Sequence, residues 1–338
     1  MKVKKLTMFS IKSLNTDEIL ETRLLHLCRS SISPLLFENN FKWFISKKSA
    51  IVFFQYKNTL VSVGGILADL EDKLETLKAF LSYCRGNNYA YIFLHFPHED
   101  IRFLEKSSLV INQLGASFTV DYKNYSMEGR RFQQLRHKIN KAIKSGVIIE
   151  KIKSQQDFDI IKPNLEIINN YWIKKKKTKY LRHLITNFST VNIDTNLHKL
   201  YIAKKDDKIL AYIIYSKSFG KYTGWFHNIT RKDPSSQDGV MQQINQYAMH
   251  DLEELDYLNF GFTPLVELQN KLNFNSSCFF HLIMKYLEKK GGIVYPAQSQ
   301  RQYKMSWRPQ IIDYEYIAFA KGRALKSLLT LLLATNSI

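Results

Sequence analysis

Residues 199 to 261 decide the fold: KLYIAK (199–204), KILAYIIYS (208–216) and KYTGWFHNI (221–229), then a helical run from Asp238 to about Leu255, then YLNFG (257–261). The three runs are rich in Ile, Tyr and other residues that suit a half-buried pleated surface. They are joined by KKDDK (204–208) and SFGK (218–221), short polar links with turn chemistry. Such links predict antiparallel hairpins. A helix and a further strand complete the unit.

The first part of the chain has similar elements. A helix is expected around Thr16 to Cys28, strands at SAIVFFQY (49–56) and TLVSVGGI (59–66), and a helix from Leu70 to Arg85. A buried strand YAYIFLHF (89–96), a helix or turn from Glu99 to Leu114 and an exit strand from Ser117 to Asp121 follow. A strand is also expected from Val147 to Ile152. The fold class is therefore α/β of the α+β kind, with mixed, mostly antiparallel sheets flanked by helices.

The chain has 338 residues, 49 Lys+Arg against 30 Asp+Glu, and a formal net charge of +19. Its 45% hydrophobic content supports a real core and excludes wholesale disorder. The surplus charge gathers in RRFQQLRHKINKAIKSGVIIEKIK (130–153) and WIKKKKTKYLR (172–182). In the first, Phe132, Leu135, Ile139, Ala142 and Ile143 have helical spacing, with Gly146 as the stop. Two basic clusters beside Tyr171, Trp172 and Tyr180 fit phosphate contacts with a polyanion; charge alone does not say whether that is RNA, DNA or anionic lipid.

Three scattered cysteines and unpaired histidines give no metal motif. There is no G-x-x-x-x-G-K-[ST] phosphate loop, no G-x-S-x-G elbow and no acetyl-CoA loop of the R-x-x-G-x-G/A kind. The start of the chain lacks a signal-peptide pattern, and no apolar run reaches the roughly 18 to 20 residues of a membrane span, which points to the cytoplasm. The longest apolar run, Ala324 to Ala334, carries Lys321, Arg323 and Lys326 at its head. It reads as a closing helix on the core or as an amphipathic helix resting on an anionic membrane.

The order of strands, helix and strand resembles the acetyltransferase-like (GNAT) core, and its echo in the first half implies a tandem pair: residues 1–124, residues 125–320 beginning with the basic helix, and a C-terminal amphipathic helix over 321–338. Four blocks carry a closer resemblance. YSMEGRRFQQLRHKINKAIKSG (125–146) is similar to the pattern FSLxGkkfxxLRxxxNrAxkxG of the C-terminal catalytic domain of phosphatidylglycerol lysyltransferases, the multiple peptide resistance factor family. Thr230-Arg231 through DGVM (238–241), LNFGFTPL (258–265) and YKMSWRP (303–309) resemble that family's MR…D.PnGxM, fNLGmaPL and YKxKFxP in order, and Gly64, Gly65 and Ile66 stand where it often has Gly-Asp-Pro. The family also has soluble relatives, such as the seryltransferase of valanimycin biosynthesis.

The resemblance implies transfer of an amino acid from aminoacyl-tRNA, a co-substrate that makes any other cofactor unnecessary, with tRNA and not DNA as the polyanion. Because an aminoacyl-tRNA is already an activated ester, the protein must orient an acceptor and stabilise an oxyanion, and needs no covalent nucleophile. Lys304 is the candidate for the oxyanion or terminal phosphate, Arg231 for a bidentate phosphate contact, and Asp238 for the substrate ammonium or a base, although Asp before Gly also reads as a helix cap. Asn259, Gly261, Thr263, Tyr303 and Trp307 are expected at the substrate. Arg130, Arg131, Arg136, Asn140, Lys144, Lys174, Lys175, Lys176 and Lys177 are expected on the tRNA surface. Ser306, Trp307, Asp238 and Gly65-Ile66 depart from the family pattern, which favours a small-molecule or peptide acceptor over phosphatidylglycerol. An acyl-CoA-dependent acetyltransferase and a non-catalytic RNA- or membrane-binding module are the rival readings.

Overall fold

The structure, a computed structural model, describes residues 8–175, 183, 188, 191–254, 256–290 and 296–336. The first run of elements is β1 (Ser10–Ser13), α1 (Thr16–Glu21), α2 (Ser33–Glu38), β2 (Lys42–Ile45), β3 (Ala50–Tyr56), β4 (Thr59–Leu67), α3 (Lys73–Gly86), β5 (Ala90–Phe96), α4 (Ile101–Lys106) and β6 (Leu109–Asp121). The second is α5 (Gln133–Lys144), β7 (Ile148–Ile152), α6 (Gln155–Lys175), β8 (His198–Lys205), β9 (Lys208–Ser218), β10 (Gly224–Lys232), α7 (Val240–Asp251), β11 (Tyr257–Pro264), α8 (Cys278–Lys290), α9 (Ala297–Ser306), β12 (Ile311–Ala320) and α10 (Ala324–Ala334).

All twelve described strands join one sheet in the order β1-β2-β3-β4-β5-β12-β6-β11-β10-β9-β8-β7. Two neighbouring pairs, β4/β5 and β10/β11, are parallel and the rest are antiparallel. The order has an internal symmetry. From one edge inward it runs 1-2-3-4-5 and then 12; from the other, 7-8-9-10-11 and then 6. Each run lends its last strand to the other, so the two exchanged strands, β12 and β6, pair with each other at the middle of the sheet.

The hairpins expected at KKDDK and SFGK are present: Lys205 faces Lys208, and Ser218 faces Gly224. Other expectations are corrected. β6 starts at Leu109 rather than 117, because Asn112 and Gln113, polar residues that break a strand pattern, are buried and bonded to the chain around 267 to 277. The helix expected from Thr16 to Cys28 is the short α1 followed by a 3-10 turn over Leu24–Leu27, broken at Arg23, whose φ of 58° is left-handed. Helix α7 starts at Val240, and its N-cap is Gly239 rather than Asp238, with no side-chain cap.

Gly239 is needed where it stands. Its φ is 96°, and a Cβ there would lie 1.9 Å from the carbonyl oxygen of Lys138, so it lets α5 close directly onto the entry to α7. The largest core lies under α5, α7, α8, α9 and α10 and includes Leu135, Ile139, Ile244, Phe260, Phe280, Trp307 and Leu331. Helices α3 and α4 cover a second cluster on the first half, and α6 covers a third, on Tyr212, Ile214 and Ile229.

Candidate functional site

Strands β10 and β11 pair only over Gly224–Phe226 and Tyr257–Asn259, after which they diverge. Irregularities mark the parting on both sides: between His227 and Ile229 on β10, and between Asn259 and Phe262 on β11. Gly261 takes a φ of 75° inside the β11 bulge, and its N–H donates to the side chain of Asn259 at 2.7 Å. A bulge of this kind turns carbonyls away from the ladder and leaves them needing partners. Lys304, from α9, supplies them: its Nζ donates to Gly261 O at 2.8 Å and Phe262 O at 3.0 Å.

Lys304 is only 7% exposed, and burial pulls its ammonium down to about 7 from an ordinary 10.5. An ammonium has three N–H donors. Two are taken, and the third has no hydrogen-bond partner among the described residues. His227, next to the parting, is held down to about 3 by burial, with the Lys304 charge adding to the effect. It is therefore a neutral imidazole. Asn245 Nδ2 of α7 lies 3.3 Å from its Nε2. Asn245 also accepts from Tyr215 at 2.5 Å and donates to the Tyr303 hydroxyl. Burial raises Tyr303, keeping that phenol protonated. Trp307, fully buried, stacks on Phe260 and closes the base of the group.

From the bulge a chain of hydrogen bonds runs to the middle of the sheet. Asn259 Nδ2 donates to Ser31 O at 3.0 Å, and the Ser31 hydroxyl donates to Glu315 Oε1 at 2.9 Å. Ser117 donates to the same oxygen at 2.6 Å, and His95 Nδ1 lies 3.2 Å from Oε2. Glu315 is only 3% exposed and lines, with Ser31, His98 and Tyr316, a cavity of about 130 Å³. His95 takes a left-handed φ of 54°, a cost that a bulky residue bears only where its surroundings fix it. Sequence reading missed Ser31, His95, Ser117, His227, Asn245 and Glu315. They come from separate segments, and no spacing in the chain announces them.

In the first half the corresponding parting, after the parallel β4/β5 pair, is closed differently. Asp100, fully buried, accepts from Ile66 N at 2.8 Å and from Lys73 at 2.5 Å. Burial pushes its carboxyl up against the pull of the Lys73 ammonium. A Cβ on Gly65 would lie 2.5 Å from Asp100 Oδ2, so this cleft is filled by protein.

Among the expected site residues, the structure gathers Lys304, Asn259, Gly261, Tyr303 and Trp307. Thr263, fully buried on the same strand, has a hydroxyl with no protein partner among the described residues. Arg231 does not join them. It is buried against α6, donating to Asn169 Oδ1 at 2.7 Å with its guanidinium 4.0 Å from the Trp172 ring, beside the Tyr212 cluster on the other side of the sheet. Asp238 is exposed, at the turn before α7.

On the basic segment, Arg130, Arg131, Asn140 and Lys144 are exposed. Arg136 is half-buried, its guanidinium donating to Met127 O at 2.5 Å and Gly129 O at 2.9 Å, so it fastens the loop before α5. Ile143, expected on the buried face, is 49% exposed. Lys174 is exposed and Lys175 ends α6; Lys176 and Lys177 lie outside the described residues.

The family described as phosphatidylglycerol lysyltransferase, C-terminal, matches residues 28–319. No curated protein matches the sequence. Among solved structures, a C-terminal domain described as that of a lysylphosphatidylglycerol synthetase from Agrobacterium fabrum is similar, with a TM-score of 0.76 at 16% identity over 96% of this chain and 99% of that one. L-PGS from Bacillus licheniformis gives a TM-score of 0.74 at 17% identity over 96% and 99%. FemX gives 0.57 at 8% identity over 95% and 100%, a likeness of fold.

Proposed function

The chain belongs to the phosphatidylglycerol lysyltransferase C-terminal family, and from that premise we propose that it moves an amino acid from aminoacyl-tRNA to a hydroxyl or amine of an acceptor. The observation that carries the reading is the buried Lys304 amine at the parting of β10 and β11, with two of its donors held by Gly261 and Phe262. In the proposed reaction the acceptor oxygen or nitrogen attacks the ester carbonyl carbon. The bond to the tRNA ribose oxygen breaks, and that oxygen takes the proton the acceptor loses. The third Lys304 donor, carried only by the protonated amine, faces the oxyanion formed in between, so this role is present below about pH 7 and fades as pH rises through it.

Arg131, Lys138, Lys141 and Lys144 are exposed and supply phosphate contacts for the tRNA, with Lys174 on α6. Arg231 acts as a positioning residue, holding Trp172 and Asn169 of α6. Residues 1–124 and 125–320 serve as two GNAT-like units, the second carrying the transfer site. The reaction belongs in the cytoplasm, where charged tRNA is found. The departures at Ser306 and Trp307 favour a small-molecule or peptide acceptor. The apolar face on α8 and α10 described below favours a second reading, transfer to phosphatidylglycerol.

The test is a radiolabelled pool of aminoacyl-tRNAs incubated with the protein, cell extract and lipid. Label is expected to leave the tRNA for a water-soluble product on the first reading and for the lipid phase on the second, and Lys304→Ala is expected to slow transfer by about 10- to 1000-fold. Label that stays on tRNA, or a Lys304→Ala protein as fast as the parent, refutes the assignment.

A further inference from the structure

Helix α10 has the sequence ALKSLLTLLLA, eight of its eleven residues apolar, and a helix this rich in leucine is expected to bury most of them. It does not. Ser327, Leu331 and Ala334 face the core, while Leu325, Leu329 and Leu333, spaced four apart on the opposite side, are 63%, 49% and 43% exposed. Its neighbour α8 repeats the arrangement. Phe280 and Met284 are buried, and Phe279, Leu282 and Tyr286 are 55%, 67% and 65% exposed. The two helices pack against each other, α8 on β6 and α10 on β12, the paired central strands, so their outward faces adjoin. Six large apolar side chains on adjoining helices exceed the scattered exposure normal for a surface.

The charge around this face is of one sign. Lys289 and Lys290 end α8, Lys321 and Arg323 precede α10, and Lys326 lies on its first turn; all five are exposed and none has an acidic partner among the described residues. From residue 321 to the end of the chain there is no Asp or Glu. The one acidic residue on α8, Glu288, is taken by Lys285 at 2.6 Å. A second copy of the chain would bring like charges together around the apolar contact. An anionic bilayer is complementary to both features, accepting the apolar side chains and attracting the cations that rim them.

We propose that the outward face of α8 and α10 is a docking surface for an anionic membrane. It rests on the apolar and charged pattern of two helices and is independent of any transfer reaction. Leu325, Leu329, Leu282 and Phe279 enter the acyl boundary, and the lysines and Arg323 stay at headgroup level.

The test is co-sedimentation of the full chain, without tRNA, with vesicles of phosphatidylglycerol and phosphatidylcholine and with vesicles of phosphatidylcholine alone. Binding is expected with the anionic vesicles and much less with the neutral ones. Leu282→Ser/Leu329→Ser keeps the net charge, alters only exposed positions, and is expected to lower the bound fraction's partition coefficient by about tenfold or more. In a second measurement, Leu329→Trp is expected to be quenched by brominated acyl chains. No binding to anionic vesicles, equal binding by the serine double variant, or a Leu329→Trp variant left unquenched each overturns the proposal. So does a parent protein that is dimeric by light scattering and made monomeric by the serine variant, which would assign the face to a second copy.

Discussion

Lys304 was legible as a residue of interest because it sits in a short Tyr-Lys-x-x-Trp block, but its burial was not. Nothing in YKMSWRP shows that the amine reaches back across about forty residues to the carbonyls of Gly261 and Phe262. The burial has a consequence for stability. Between pH 7 and 10.5 the unfolded chain holds a proton on this lysine that the folded chain has released, so folding stability rises with pH across that window. Below about 7 the amine is charged in both states and the desolvation cost is fully present and constant. Lys304→Met lacks the titration, while its other effect, two unpartnered carbonyls, does not vary with pH. Urea unfolding of both proteins from pH 7 to 9 should show the parent gaining on the variant by up to about 1.4 kcal/mol per pH unit. A difference constant with pH would mean that the amine does not titrate there. The Glu315 group is illegible for another reason: its partners Ser31, Ser117 and His95 come from distant segments, and they offset the cost of burying an acidic side chain.

Helix α5 buries Leu135, Ile139 and Ala142 as their spacing implies, and its stop at Gly146 is present, with Gly146 N bonded to Ile143 O at 3.0 Å and φ at 84°. Ile143 follows the same spacing, yet its side chain is 49% exposed. Helices α2, α6, α8 and α9 lie outside the elements expected from the sequence. The α9 sequence, AQSQRQYKMS, is too polar to show an apolar period, and only Ala297 and Lys304 in it are buried. The basic face of α5 carries its own prediction. Lys138, Lys141 and Lys144 are exposed, and alanine is the best helix former, so the triple Lys→Ala variant should keep its fold. Its tRNA affinity should fall, and the slope of log affinity against log salt should drop by about 2 to 3, in keeping with up to three lost phosphate contacts. An unchanged slope in a filter-binding titration would take α5 off the tRNA surface.

The sequence shows two similar runs of elements but not how they are joined, since strand exchange leaves no local signature. β12 pairs with β5 through Ile92–Phe96 and with β6 through Leu109–Thr119, so the last strand of the second run lies between the last two strands of the first. In return, β6 pairs with β11 from Gly115 to Asp121. Neither run can complete its own sheet. Residues 1–124 made alone would present β5 and β6 with unpaired edges at what is the middle of the native sheet, and such edges template aggregation. That fragment is therefore expected to be insoluble or to lack a cooperative unfolding transition, and co-expression with residues 125–338 is expected to recover both as a soluble complex. In the intact chain the halves should unfold together. Fluorescence from Trp43, in β2, should report the same urea midpoint as fluorescence from Trp225 and Trp307 in the second half, measured in variants that keep one set of tryptophans at a time. A soluble 1–124 fragment with a sharp transition of its own, or midpoints that separate, would show that the exchanged strands do not couple the halves. The site at the β11 bulge would then owe its geometry to the second run alone, although Ser31 and His95, both from the first, supply two of its links to Glu315.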